Sequence, residues 1–198
     1  SERSGNTRPL NDYPLYVLLD TLGGDPERDK ERFVEVLGHK LESGVIVDAV
    51  IAQSEKEIAE LWKIRDSVSE VFQYGPSMLF DVSLPIAAME DYERQVMAQW
   101  RTDFPEGHFI SFGHLGDGNL HFAASVGEDN ANNRKLIETT LYQPLAAIGG
   151  SVSAEHGIGL EKKSWLASCR TDTEIAMMKT LKQTFDPAGI LNPGKVFD

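Results

Sequence analysis

The feature that most restricts how this chain can fold is a turn. Two apolar runs, residues 108–115 and 120–126, are separated only by Gly116-Asp117-Gly118-Asn119. Glycines at alternate positions of so short a connection allow the positive-φ backbone that reverses a chain tightly, so the runs are expected to pair as antiparallel neighbours. A hairpin needs further strands or a helix layer to bury its apolar face. Residues 77–84 (SMLFDVSL) offer one such strand, with Met78, Phe80, Val82 and Leu84 on one face and Ser77, Leu79, Asp81 and Ser83 on the other.

Helical signals surround these strands. Pro26 sits at a helix start, Phe33, Val36, Leu37 and Leu41 keep helical spacing, and Gly44 ends the segment. Ser54-Glu55-Lys56-Glu57 has the pattern of a capping box and opens a helix expected to reach about Phe72. Pro85 starts a third helix carrying Ile86, Met89, Val96 and Trp100, and a fourth runs from about Asn132 to Ile148 with Pro144 interrupting its last turns. Thr171-Asp172-Thr173-Glu174 is a second capping box, opening a helix to Phe185. Residues 13–21 and 45–52 read as further strands, and residues 151–154 as a short one. The expected class is α+β: a mainly antiparallel sheet with helices packed on one side and further helices at the C-terminal end. A Rossmann unit is disfavoured, because Gly113, Gly116 and Gly118 lead into a strand rather than a helix.

Composition narrows the partners. The chain has 198 residues, with 19 Lys and Arg against 31 Asp and Glu, a net charge of −12. Such a balance disfavours nucleic acid and anionic membrane, which both require a basic face. No apolar run approaches the ~20 residues of a membrane span. The single cysteine, Cys169, excludes an intramolecular disulfide framework and suggests a reducing compartment, here taken as the cytoplasm; it reads as a small buried hydrophobe. The polar residues 1–12 are read as a disordered start or a cloning remnant, and residues 13–198 as one domain.

Several residues could carry chemistry. A symmetric four-residue loop would set His114 directly opposite His121, on one face, with Cβ atoms about 4.5–5.5 Å apart. That pair is either two ordinary strand histidines or two ligands of one metal. Glu155-His156, between a small-residue strand and a Gly-x-Gly turn, adds a carboxylate and a third imidazole. Two histidines and a carboxylate form an N2O set for Zn²⁺, Mn²⁺ or Fe²⁺. Taken singly, Glu155 reads equally as a solvated acid and His156 as a hydrogen-bonded turn residue. In the second helix, Arg65 falls on the stripe of Ile58, Leu61 and Trp62, with Ser69 one turn on. An arginine there is either a clamp for a carboxylate or a side chain that reaches the sheet edge or pairs with Asp81.

Three segments taken together, Ser111 through His121, Ser153 through Gly159, and Phe185-Asp186-Pro187 through Lys195, resemble the C-terminal domain of the FAD-linked oxidases. That group includes D-lactate dehydrogenase, the glycolate oxidase flavoprotein subunit and D-2-hydroxyglutarate dehydrogenase. The resemblance spans about Leu15 to Phe197. It implies a divalent metal, usually zinc, at His114, His121 and Glu155, with His156 as catalytic base and Arg65, Ser69 and Asn119 at substrate positions. It also implies that FAD is bound mainly by a domain preceding this one. The chain is then expected to be a C-terminal portion that is inactive alone, with Asn192 and Lys195 in a tail that folds back towards the flavin; an ordinary C-terminal loop is the other reading of that tail. The implied partner is a small anionic 2-hydroxy acid, and the assembly considered is a homodimer.

One departure bears on the substrate. Members acting on 2-hydroxyglutarate resemble this chain at Asp81-Val82-Ser83-Leu84-Pro85 but carry a lysine where Leu79 stands. Leucine cannot bind a second carboxylate, so lactate, glycolate or a 2-hydroxy acid with an apolar side chain is expected. A different class stays open: a stand-alone metal-binding or ligand-binding domain without catalysis.

Overall fold

The protein is described here by a computed structural model that covers residues 13–197; the expected polar start, residues 1–12, lies outside the described residues. The chain divides into two compact units, Ser1–Glu70 and Val71–Asp198.

The first unit contributes α1 (Pro26–Glu42) and α2 (Glu55–Asp66). Asp25 caps α1 by accepting from the amide of Arg28, and Ser54 caps α2 by accepting from that of Glu57. The Glu57 carboxylate accepts from the amide of Gln53 at 2.6 Å, one residue earlier than a full capping box requires. Helix α2 ends at Asp66, short of the expected Phe72, and a 3₁₀ segment, Val68–Tyr74, follows. The Ser67 hydroxyl turns back to the Lys63 carbonyl at 2.7 Å, a local bond that competes with helix continuation.

Residues 13–21 and 45–52, expected as strands, form none. An extended segment becomes a strand only when a neighbour pairs its backbone, and no sheet occurs among the described residues of this unit. Several of these amides turn to local partners instead: Thr21 to the Asp20 carboxylate, Ala49 to that of Asp48, and Val45 to the Lys40 carbonyl.

The second unit is built on β1 (Met78–Ser83), β2 (His108–His114) and β3 (Asn119–Ser125), a three-stranded antiparallel sheet in the order β1-β3-β2. Its helices are α3 (Met89–Asp103), α4 (Ala131–Tyr142), the short α5 (Leu166–Cys169) and α6 (Asp172–Phe185). Alternation sends Met78, Phe80, Val82 and Phe122 into one core with Tyr92, Val96 and Trp100 of α3 and Ile137, Leu141 and Tyr142 of α4. Tyr92, fully inside, satisfies its hydroxyl on the Leu141 carbonyl at 2.7 Å. This is the expected α+β arrangement, with helices on the apolar face and the opposite face left for other uses.

Pro144 ends regular α-helix as expected, and a 3₁₀ segment, Gln143–Ile148, carries the chain to Gly149. The strand expected at residues 151–154 is reduced to one bridge, Ser83 to Ser151, because the amides of residues 154–156 turn inward to a side chain. Gly150 permits this approach: a Cβ there would lie 3.0 Å from the Ser83 carbonyl oxygen and 2.8 Å from Leu145. The full capping box at Thr171 and Glu174 forms, and α6 ends at Phe185 as read from sequence.

The hairpin turn is tightest at Gly118, with φ +65° and its own carbonyl accepting from Leu84 at 2.9 Å. A Cβ there would sit 2.3 Å from the Leu84 oxygen. Gly118→Ala is therefore expected to lower stability in urea unfolding by about 1–3 kcal/mol. A midpoint unchanged from the parent would show that the turn relaxes without cost.

Candidate metal and substrate site

The polar face of the sheet assembles the site. Register pairs His114 with Asn119 and His121 with Phe112, so the two histidines are diagonal rather than directly opposed. The turn is closed by a 3₁₀ step, Leu115–Asp117, with Gly118 in the left-handed conformation, which shifts the pairing by two residues from the symmetric loop expected. A shift of two preserves the face, because side chains alternate with period two. The rings consequently still meet edge to face, with centroids 5.5 Å apart.

Glu155 closes the triad. Its carboxylate oxygens lie 3.6 Å from His114 Nε2 and 3.8 Å from His121 Nε2, and one ligand atom from each of the three residues falls within 4.8 Å of the others. Two atoms bound at ~2.0–2.1 Å to one tetrahedral ion stand roughly 3.3–3.4 Å apart, so small rotamer adjustments would let all three share a cation. Burial lowers the pKa of His121, outweighing the opposite pull of Glu155, and so favours the neutral imidazole that a metal requires. The donor set fits a divalent metal.

What brings Glu155 here is Asp81, a fully buried carboxylate at the centre of β1 and directly opposite His121 in the ladder. One oxygen, Oδ2, accepts from the amides of Ala154 (2.8 Å), Glu155 (2.7 Å) and His156 (3.1 Å). The other, Oδ1, pairs with Lys162 Nζ, itself buried, and stands 3.3 Å from His156 Nδ1. Burial alone would raise the Asp81 pKa; Lys162 and the amide donors outweigh it and hold the group well below the ordinary carboxylate range. Sequence reading weighed Asp81 as a partner for Arg65 and as part of the Asp81–Pro85 segment, and did not single out Lys162. The available signal was a lone acid amid the apolar residues of SMLFDVSL, since a charge inside a sheet demands a partner.

His156 lies with its ring 5.7 Å from that of His121, the two planes 28° apart. Asn119 is 3% exposed, and both polar atoms of its amide lack a hydrogen-bond partner. A buried amide left so is costly and marks a place where a polar ligand fits. His114, His121, Glu155, His156 and Asn119 thus belong to one unit and one sheet region. Leu79 shares the polar face with Asp81, half exposed, and pairs with Ala123 two residues beyond His121.

The remaining expected residues belong to other elements. Arg65 and Ser69 belong to the first unit; α2 buries none of its residues, and Arg65 is exposed with Nη1 3.1 Å from the Asp66 carboxylate, not set on a buried stripe. Asn192 and Lys195 occupy an exposed turn of the tail, which is fastened by the Val196 amide to the Gly159 carbonyl at 2.8 Å and by Lys163 Nζ to that of Gly194 at 3.1 Å. Cys169 is half-buried, its thiol directed to the carbonyls of Trp165 and Leu166. Among the described residues no helix is long and apolar enough to cross a membrane.

The chain is 37% identical over 203 residues to a Schizosaccharomyces pombe protein that carries a provisional name as a mitochondrial D-lactate dehydrogenase, covering 97% of this chain and 39% of that one. It is 32% identical over 191 residues to D-2-hydroxyglutarate dehydrogenase of Stutzerimonas stutzeri, covering 94% of this chain and 41% of the relative. The mitochondrial D-2-hydroxyglutarate dehydrogenase of Rattus norvegicus is 34% identical over 190 residues, with 96% and 35% covered. The chain therefore spans about two fifths or less of these relatives. Residues 2–196 match the family described as FAD linked oxidases, C-terminal domain, and the chain belongs to that family.

Proposed function

We propose that this chain is the substrate-binding and metal-binding part of an FAD-dependent dehydrogenase that oxidises a D-2-hydroxy acid to the 2-oxo acid. The observation that carries the reading is the convergence of His114, His121 and Glu155 on one point beside His156 and the unpartnered amide of Asn119. When bound, a divalent cation at that triad, with zinc expected, supplies Lewis-acid polarisation of the substrate hydroxyl, and a flavin held mainly outside this chain supplies the two-electron acceptor.

The chain's own residues account for the rest. His156 takes the hydroxyl proton at Nε2, an imidazole being suited to proton transfer near neutral pH. Asn119 meets the substrate with the donors and acceptor that are unpaired without it. Arg65 and Ser69 as substrate contacts, and Asn192 and Lys195 as flavin contacts, enter on family resemblance alone. A homodimer enters on the same footing, a cytoplasmic location rests on the single cysteine, and the chemistry of the electron acceptor is left unspecified. Leu79 favours lactate, glycolate or an apolar 2-hydroxy acid over a dicarboxylate, since its half-exposed side chain puts an alkyl group on the polar face.

Three experiments bear on this reading. Zinc titration of the purified, chelator-treated chain is expected to show one equivalent bound, and His121→Ala to weaken binding by more than the ~10–100-fold that loss of an outer partner costs. No stoichiometric metal, or no effect of the substitution, would remove the ligand assignment. In the full-length flavoprotein with an artificial electron acceptor, a panel of 2-hydroxy acids should place lactate-like substrates above 2-hydroxyglutarate, and Leu79→Lys should shift the kcat/KM ratio towards the dicarboxylate by about tenfold. Clear preference of the parent for 2-hydroxyglutarate would refute the inference from Leu79. Arg65→Ala should raise KM about tenfold or more, the worth of a charged hydrogen bond; an unchanged KM would exclude it as a carboxylate clamp.

A further inference from the structure

We propose that Asp81 is a positioning residue for His156, fixing its proton on Nδ1 so that Nε2 presents the free lone pair. This rests on the reading of His156 as the base. The geometry separates the two oxygens of Asp81 by task. Oδ2 is occupied by the three amides of residues 154–156 and so holds the backbone that carries Glu155 and His156. Oδ1 lies 3.3 Å from His156 Nδ1 and pairs with Lys162 Nζ. An ionised carboxylate can only accept, so a lone pair on Nδ1 would face a lone pair on Oδ1. The ring avoids that repulsion by carrying its proton on Nδ1, and the nitrogen left to act is Nε2.

Lys162 completes the arrangement. Its ammonium balances the buried charge and donates to the Asp81 main-chain carbonyl as well, 3.3 Å away, so Oδ1 has a partner of its own while Oδ2 serves the amides. No other described acid is paired with His156. One carboxylate thereby sets both where the base stands and which of its nitrogens is available.

Asparagine at position 81 separates these tasks. Because three amides converge on the Oδ2 position, the amide oxygen must take that place and the NH₂ must take the place of Oδ1. It would donate to Nδ1 and move the proton to Nε2, blocking the lone pair. Asp81→Asn alone leaves the Lys162 ammonium buried against an NH₂ group and risks misfolding. The double variant Asp81→Asn/Lys162→Met removes both charges together and keeps the backbone bonds.

The test uses the full-length flavoprotein with ring-¹⁵N histidine, the His156 signal being assigned by its loss in His156→Gln. In the parent, two-bond ¹⁵N–¹H correlations are expected to report the Nδ1–H tautomer of His156. In the double variant they should report Nε2–H, with kcat lowered at least about 10²-fold and KM changed no more than about threefold. Zinc content equal to the parent's would show Glu155 undisturbed and support the assignment. A double variant that retains Nδ1–H, or whose kcat stays within about threefold of the parent, would overturn it. His156→Gln distinguishes the underlying reading: if that variant turns over like the parent, His156 is not the base, while the tautomer measurement still decides what Asp81 does.

Discussion

A single buried carboxylate holds the functional region of this domain together. Asp81 stands at the centre of a strand whose neighbours Phe80 and Val82 are sealed in the core, and its oxygens gather the backbone amides of residues 154–156 together with Lys162. Burying a charge costs several kcal/mol unless it is paired and hydrogen-bonded. The same contacts that neutralise Asp81 bring Glu155 towards His114 and His121. Stability and site construction share the same bonds.

The sheet supplies the other half. The core face packs on α3 and α4, leaving the opposite face to collect polar side chains from all three strands. The alternation that made the strands legible therefore also put the histidines on the functional side. A slip of β3 by one residue would send Asn119 and His121 towards the core and turn Phe122 out of it, so core packing fixes the register that sets His121 beside His114.

Sequence patterns disclosed much of this, and where they failed the cause is physical. Local signals held: the capping box at Thr171 and the interruption at Pro144 act within a few residues and formed as read. The diagonal offset of the histidines escaped because it depends on the 3₁₀ step inside the turn, which loop length alone does not specify. The segments at 13–21 and 45–52 have strand-like composition, but a strand is made by its partner and composition cannot name one. Asp81 and Lys162 lie 81 positions apart, a pairing no periodicity reveals. The convergence of His114, His121 and Glu155 could be expected only because its separate parts fell into recognisable motifs.

The unpartnered amide of Asn119 carries a consequence for discrimination. A site with an orphaned donor and acceptor penalises every occupant that cannot answer them, so it rejects an analogue lacking a polar group more strongly than it rewards one possessing it. On the proposed function, selection between acids that differ by a methylene falls to the exposed side chain of Leu79. On the proposed function, an occupant without a polar group would leave that buried amide as unpaired as it is alone.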